Sequence, residues 1–152
     1  HPGQWTVGFG GFGEILPNPE NRFVLSAQKD KWGLPVLEFS ADFGQNELQM
    51  RVDMMSDAAE MLEVAGFKNV KSYDNGYTFG QGIHEMGTAR MGRDPKTSVL
   101  NGNNQVWDAK NVFVTDGACM TSAAAQNPSL TYMALTARAA AFAVEELKKQ
   151  NL

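Results

Sequence analysis

The fold class is decided near the end of the chain, by the stretch NVFVTDG at Asn111–Gly117 and the helix signal that follows it. The stretch is a short apolar run that ends in an Asp-Gly turn pair, which is typical of a buried strand in a parallel sheet. A loop at 118–126 leads to Asn127 and Pro128, where asparagine suits the N-cap and proline suits the first helical position. The order predicts a strand, a loop and a C-terminal helix.

The predicted C-terminal helix carries apolar residues at helical spacing, which indicates one buried face. Lys148 and Lys149 follow at its end, where the helix dipole favours positive charge. The residues expected to be buried are Leu130, Met133, Ala134, Ala137, Ala141, Val144 and Leu147.

The first third of the chain predicts an antiparallel sheet. Arg22–Ala27 and Val36–Ala41 have strand character, and a polar turn at 28–31 separates them. Trp5–Phe12 is rich in glycine and aromatic residues, and we predict a further strand there. Pro17–Asn21 is a turn cluster.

One amphipathic helix is predicted after these strands. Asn46 can serve as its N-cap, with Gln49 completing a capping box, and Gly66 suits its C-terminal cap. We expect its apolar face to pack on the sheet, with the methionines as core filler rather than a cofactor site. That face comprises Leu48, Val52, Met55, Ala59 and Leu62.

Composition excludes several classes of function. The 152 residues are 43% hydrophobic and 20% charged, which is ordinary for a globular domain, and no apolar stretch reaches the length of a transmembrane helix. The net charge of −4 gives no reason to expect a nucleic acid partner. Cys119 is the single cysteine, so an internal disulfide is impossible, and both the cytoplasm and the periplasm remain open as compartments.

A glycine-rich stretch at Gly8–Gly13 matches the pattern GxGxxG, but we expect it to fail as a dinucleotide-binding fingerprint. Such a pattern must open a helix whose N-terminus meets the pyrophosphate. Here the following residues, 14–19, include two prolines and cannot form a helix. The interpretation is a glycine-rich strand in the sheet.

Three segments in fixed order identify a family. They are HEMGTARMG at 84–92, the strand ending in Asp-Gly at 116–117, and Asn-Pro-Ser-Leu-Thr at 127–131. The chain resembles the C-terminal region of the glucose–methanol–choline (GMC) family of flavin oxidoreductases, weakly over residues 1–75 and strongly over 84–140. Each segment is unspecific alone, and the ordered set is specific.

The resemblance implies an α+β fold of two parts. Residues 1–107 would form the substrate-binding part, an antiparallel sheet with packed helices that includes the loop of His84. Residues 108–152 would add a strand and a helix to the FAD-binding part. The chain begins at His1 without an initiator methionine. We therefore expect a piece of a longer protein whose N-terminal Rossmann half, the main FAD-binding fold, is its missing partner.

The resemblance also implies the chemistry and the cofactor, FAD. A small-molecule alcohol or sugar would lose a hydride to the flavin and its hydroxyl proton to His84, a residue type suited to proton transfer near neutral pH. Asn127 would bind the same oxygen, although the division of labour within the pair is open. The residues implied to contact FAD are Asp116, Gly117, Asn127, Pro128 and Ser129.

Two alternatives stay open. The chain could be a stand-alone carbohydrate- or protein-binding module, which the lack of a cofactor-binding fold favours. A hydrolase using His84 has little support because no nucleophile motif accompanies the histidine. No metal site is expected, since His84 is the only histidine besides the N-terminal one. The substrate within the alcohols and the electron acceptor are not determined by these residues.

Overall fold

The computed structural model describes residues 3–152, and the chain divides into two compact units between Gln81 and Gly82. The first unit contains both strands and one long helix. The second is mostly irregular and ends in a long helix. The elements are β1 (Arg22–Lys29), β2 (Pro35–Ser40), α1 (Gln45–Val64), a short 3-10 helix (Gly117–Cys119) and α2 (Ser129–Lys148).

Strands β1 and β2 form an antiparallel hairpin, which confirms both predicted strands of the sheet. Phe23 pairs with Phe39, and their ring centroids are 5.7 Å apart. β1 runs two residues further than predicted, because the turn is organised by Asp30. Its carboxylate accepts hydrogen bonds from the backbone N–H groups of Trp32 (2.8 Å) and Leu34 (2.9 Å).

The predicted strand at Trp5–Phe12 is wrong, since residues 3–21 contain no strand. This segment instead runs beside α1, where Gly11 lies against Met54 and Gly13 against Met50. The expectation that the GxGxxG pattern opens no helix is confirmed, because the first helix among the described residues begins at Gln45. The glycines allow the segment to approach the methionine side chains closely.

Helix α1 begins two residues before its predicted start, so the predicted N-cap is wrong. Gly44 is the N-cap, and Glu47 closes the box by accepting its N–H at 2.8 Å. Glu47 also accepts the N–H of Leu16 at 3.0 Å, so this nearly buried carboxylate joins the glycine-rich segment to the helix. The third helical position is therefore occupied by Glu47 and not by Gln49. A carboxylate there can accept two backbone N–H groups at once.

The C-terminal end of α1 confirms the predicted glycine cap. Gly66 has φ +90° and follows the C-cap Ala65. Its N–H donates to the carbonyl of Glu63 at 2.9 Å, and the N–H of Phe67 donates to that of Leu62 at 3.0 Å. These two bonds make a Schellman motif, whose left-handed residue favours glycine.

Glu47→Gln is expected to lower the melting temperature by about 5 °C at neutral pH. The backbone N–H of Leu16, and then those nearer the cap, donate to the Glu47 carboxylate and hold its pKa below the usual value for a glutamate. A lowered folded pKa means that this stability is present above the unfolded pKa and is lost as pH falls through the folded one. Thermal unfolding should therefore show the variant and the wild type converging as the pH falls through the folded pKa of Glu47.

The matched control is Glu60→Gln, which changes an exposed carboxylate on the same helix. It should leave the melting temperature unchanged at every pH. Equal losses from Glu47→Gln and Glu60→Gln at neutral pH would contradict the bridging role of Glu47.

The prediction that α1 packs its apolar face on the sheet is wrong. Leu48 and Val52 on that face are 43% and 49% exposed. The helix is covered instead by the glycine-rich segment and, through Arg51, by the loop that follows it. Arg51 pairs with Asp74 and donates to the carbonyl of Tyr77 at 3.1 Å. The other residues of the predicted apolar face, Met55, Ala59 and Leu62, are half-buried.

The second unit is organised around a buried polar hairpin at 100–114. Leu100 and Asn104 are fully buried, and Cys119 is 1% exposed. The side-chain amide of Asn104 donates to the carbonyl of Val114 at 2.9 Å and accepts from Arg138 on α2 at 3.0 Å. One asparagine thereby fixes α2 against the segment that leads into Asp116.

The predicted parallel strand at Asn111–Gly117 is not confirmed. Phe113 alone makes a ladder bridge, antiparallel, to Gln105. A strand forms only where a neighbour presents matching N–H and C=O groups, and within residues 3–152 this segment faces the antiparallel arm at 104–106. Phe113 also contacts Phe142 of α2, with ring centroids 6.3 Å apart.

Helix α2 is present as predicted, but its predicted buried face is exposed. Leu130 and Met133 are 79% and 67% exposed, and the face that covers the unit carries Tyr132, Ala139 and Phe142. The accessible surface is 12129 Å². Two separate globular units, each with about half of the chain's mass, would together expose roughly 9,000 Å². Apolar surface that folded domains normally cover is therefore open on this chain.

No helix within residues 3–152 has the combination of length and apolarity needed to cross a bilayer.

Candidate functional site

An open cleft of about 380 Å³ lies in the second unit. It brings together three residues that the sequence had singled out in separate segments, His84, Asp116 and Gly117. Four further residues line it: Glu85, Thr88, Ala118 and Tyr132.

The cleft is assembled by backbone hydrogen bonds between the His84 loop and the short 3-10 helix. Every second residue of the loop donates to a successive carbonyl of the turn. Because backbone groups carry this pairing, it positions His84 without depending on side-chain rotamers. The bonds run from Gly87 to Gly117 (3.3 Å), from Ala89 to Ala118 (2.9 Å) and from Met91 to Cys119 (2.9 Å).

His84 is half-buried and has φ +70°. This left-handed conformation is uncommon for residues other than glycine, although histidine, asparagine and aspartate adopt it more readily than most. Backbone strain of this kind persists where the surroundings over-determine it, and it clusters at functional sites. His84 lines the cleft in this conformation.

Asp116 and Gly117 form the opposite wall. The Asp116 carboxylate accepts the N–H of Ala118 at 3.0 Å and so caps the 3-10 helix. Gly117 is buried, and a Cβ there would overlap the carbonyl oxygen of Glu85 and lie 2.9 Å from the hydroxyl of Tyr132. Only glycine permits the loop and the turn to approach this closely.

Tyr132 is a cleft residue that the sequence motifs did not identify. It is the fourth residue of α2, and helical side chains point back toward the N-terminus of their helix, which carries its phenol to Gly117. Burial, and then the charge of Asp116, raise the pKa of the phenol, so it stays a hydrogen-bond donor at neutral pH. The sequence signal that could have identified it is a tyrosine one turn inside the helix, since its side chain has an apolar body and a polar tip.

Asn127, Pro128 and Ser129, which were expected to contact the substrate or FAD, do not line the cleft. Pro128 is the N-cap, with its carbonyl accepting the N–H of Tyr132 at 3.1 Å, so the predicted cap Asn127 is one residue too early. Asn127 and Ser129 are exposed, and the N-cap makes no side-chain hydrogen bond. The cap lacks a side-chain hydrogen bond because an N-cap residue that makes one is normally extended, whereas Pro128 has φ −89° and ψ 5°.

Arg90 is the arginine of the segment at 84–92. Its guanidinium donates to the carbonyl of Thr97 at 2.6 Å, which closes the local loop. The cleft-lining side chains include two carboxylates, Glu85 and Asp116, and no lysine or arginine. The cleft therefore favours neutral or cationic groups over anionic ones.

The sequence matches a known family over most of its length. Residues 17–136 match the family model for GMC oxidoreductase. The matched range contains all three ordered segments, from the His84 loop to the start of α2.

Curated relatives fall in the same group. A 2-methyl-1,2-propanediol dehydrogenase from Mycolicibacterium austroafricanum is 37% identical over 133 residues, covering 84% of this chain and 23% of the relative. A paromamine 6'-oxidase from Streptomyces fradiae is 37% identical, covering 82% and 23%. The fructose dehydrogenase large subunit from Gluconobacter japonicus is 31% identical, covering 90% and 25%. The chain thus spans about a quarter of the length of these relatives.

Proposed function

Because this chain belongs to the GMC oxidoreductase family, we propose that it is the C-terminal part of an FAD-dependent oxidoreductase. The relatives are oxidoreductases of alcohols and sugars. The proposed reaction is oxidation of the CH–OH group of a sugar or other alcohol to a carbonyl. FAD, when bound, supplies the acceptor for the hydride.

The observation that carries the proposal is the cleft itself. Three segments that are separate in sequence meet there, namely the His84 loop, the Asp116–Gly117 turn and the first turn of α2 with Tyr132. A concave site in which a histidine, a carboxylate and a phenol converge is a candidate small-molecule site.

His84 is assigned the role of base. Alcohol oxidation removes two hydrogens, and the one on oxygen leaves as a proton that a side chain must accept. His84 is the histidine that lines the cleft, and its positive φ is a backbone conformation that is common at functional sites. Asn127 is assigned as its partner, binding the same substrate oxygen so that the C–H bond faces the cofactor.

The residues of the second unit fit part of a flavin site. Asp116, Gly117, Asn127, Pro128 and Ser129 are assigned as its contacts. α2 is 20 residues long and lacks a side-chain cap, so its first-turn N–H groups are free to face negative charge. A helix N-terminus stabilises such charge by roughly 0.3–1 kcal/mol when exposed and up to ~2 when partly buried.

The proposed division of labour follows the same assignment. Residues 1–107 would belong to the substrate-binding part and residues 108–152 to the FAD-binding part. The exposed apolar face of α2, with Leu130 and Met133, supports contact with a nucleotide-binding half. In this proposal the chain is inactive alone and works in a holoenzyme that includes that half.

A second candidate is a carbohydrate- or protein-binding module without catalysis. The observation in its favour is the set of exposed aromatic side chains in the first unit. Trp32 at the hairpin tip is 74% exposed, with the Lys31 ammonium 4.2 Å from its ring centroid, and Trp5 is 92% exposed. Such side chains are typical of ligand and partner contacts.

A test separates the two candidates. The holoenzyme is stripped of FAD, and alcohol and sugar turnover is followed with an artificial electron acceptor before and after FAD is restored. We expect turnover only with FAD present. Carbohydrate binding that is independent of FAD, with no turnover in either state, would support the binding module instead.

A further inference from the structure

We propose that Tyr132 is a positioning residue that fixes the His84 loop relative to the start of α2. The inference rests on the proposed role of His84 as base. In this proposal Tyr132 does not contact the reacting atoms. It holds in place His84, which does.

The geometry that carries the proposal is a three-way junction at the phenol of Tyr132. The hydroxyl donates to the thioether sulfur of Met86 at 3.8 Å, two residues after His84. It also lies 2.9 Å from where a Cβ of Gly117 would be, so it packs on bare backbone. One side chain of α2 therefore contacts both walls of the cleft.

Placement matters because His84 and Asn127 must reach one substrate oxygen from different segments. The backbone bonds described above join the His84 loop to the 3-10 helix, and neither segment carries Asn127. Tyr132 is five residues from Asn127, on the first turns of the helix that Asn127 precedes. A misplacement of about 1 Å between catalytic groups can cost on the order of 100-fold in rate.

The hydrogen bond of the Tyr132 hydroxyl contributes little to the cleft. A thioether sulfur is a weak acceptor, so the O–H contributes mainly by occupying the gap beside Gly117. Tyr132→Phe should therefore have a smaller effect than Tyr132→Ala, which removes the ring and leaves the gap open. The order of the two variants reports packing rather than proton transfer.

The test is a double-mutant cycle with His84→Asn, read as the single-turnover rate of flavin reduction in the holoenzyme. We expect Tyr132→Ala to lower that rate about 10- to 100-fold, and Tyr132→Phe by less than about 10-fold. In the His84→Asn background each change should cost less than about 2-fold, because there is no base left to misplace. The flavin spectrum should show full FAD content in both variants.

A matched control is Phe142→Ala, which removes an aromatic ring from the same covered face of α2 at its contact with Phe113. Its effect should be the same with and without His84. Equal effects of Tyr132→Ala in the two backgrounds would overturn the inference, and so would a wild-type rate in Tyr132→Ala. A wild-type rate in His84→Asn alone would overturn the proposed function as well.

Discussion

Replacement of His84 by asparagine is expected to lower the rate of alcohol oxidation by about 10²- to 10⁴-fold, the usual contribution of a general base. Asparagine is chosen because it adopts the left-handed conformation that His84 holds at φ +70°. The variant should therefore keep the loop and lose only the base. The measurement is kcat and KM for an oxidised alcohol, with FAD content read from the flavin absorbance.

The loss should fall on kcat, with FAD content unchanged. His84→Ala is the informative companion, since alanine also pays backbone strain at a positive φ and should add a loss of thermal stability. If His84→Asn retained the wild-type kcat, the base would have to be another group, and the assignment of His84 would fail.

Gly117→Ala is the second change with a large expected effect. The added Cβ would overlap the carbonyl oxygen of Glu85, which is backbone and cannot rotate away. The hydrogen bonds that join the His84 loop to the 3-10 helix would have to open. We expect destabilisation on the order of 1–3 kcal/mol, as for overpacking in a well-packed site, together with weakened FAD binding and low activity.

The matched control is Gly102→Ala, because a Cβ at Gly102 meets nothing within 4 Å. Melting temperature, FAD affinity and activity should stay at wild-type values there. Comparable losses in both variants would show that the close approach at Gly117 is not what assembles the cleft. A double change, Gly117→Ala with Tyr132→Phe, should recover little, since the Glu85 carbonyl remains in place.

Short-range signals in the sequence predicted local structure well. Gly66 predicted the end of α1 because a left-handed C-terminal cap needs only the residues beside it. The hairpin strands were predicted because alternation and a polar turn are also local. The start of α2 was predicted to within one residue from Asn127 and Pro128, a difference that is common at helix ends.

The buried faces of the helices and the pairing of the segment at Asn111–Gly117 were not predicted, because both depend on residues that are distant in sequence. An apolar stripe such as Leu130 and Met133 marks a face that is stabilised when covered, but other residues must supply the cover. Likewise, the apolar run at Asn111–Gly117 has strand propensity, and its pairing depends on the neighbour it meets. For α1, long-range contacts are made by Glu47 to Leu16 and by Arg51 to Asp74, and neither residue is part of an apolar pattern.

The candidate site divides in the same way. His84, Asp116 and Gly117, which were named from the sequence, line one cleft. Tyr132 was missed because its role comes from reaching across to another segment, which no spacing along the chain reports. The roles of His84 and Asn127 remain predictions, and so do the functional boundary at 107/108 and the cofactor contacts.

The central claim is that this chain contributes to flavin-dependent oxidation of an alcohol. The most direct measurement is the flavin absorbance band of the holoenzyme under anaerobic conditions, recorded before and after addition of sugars and small alcohols. We predict that the purified holoenzyme is yellow and that at least one of these alcohols bleaches the band. A holoenzyme that carries no flavin, or whose flavin stays oxidised with every alcohol offered, would contradict the claim.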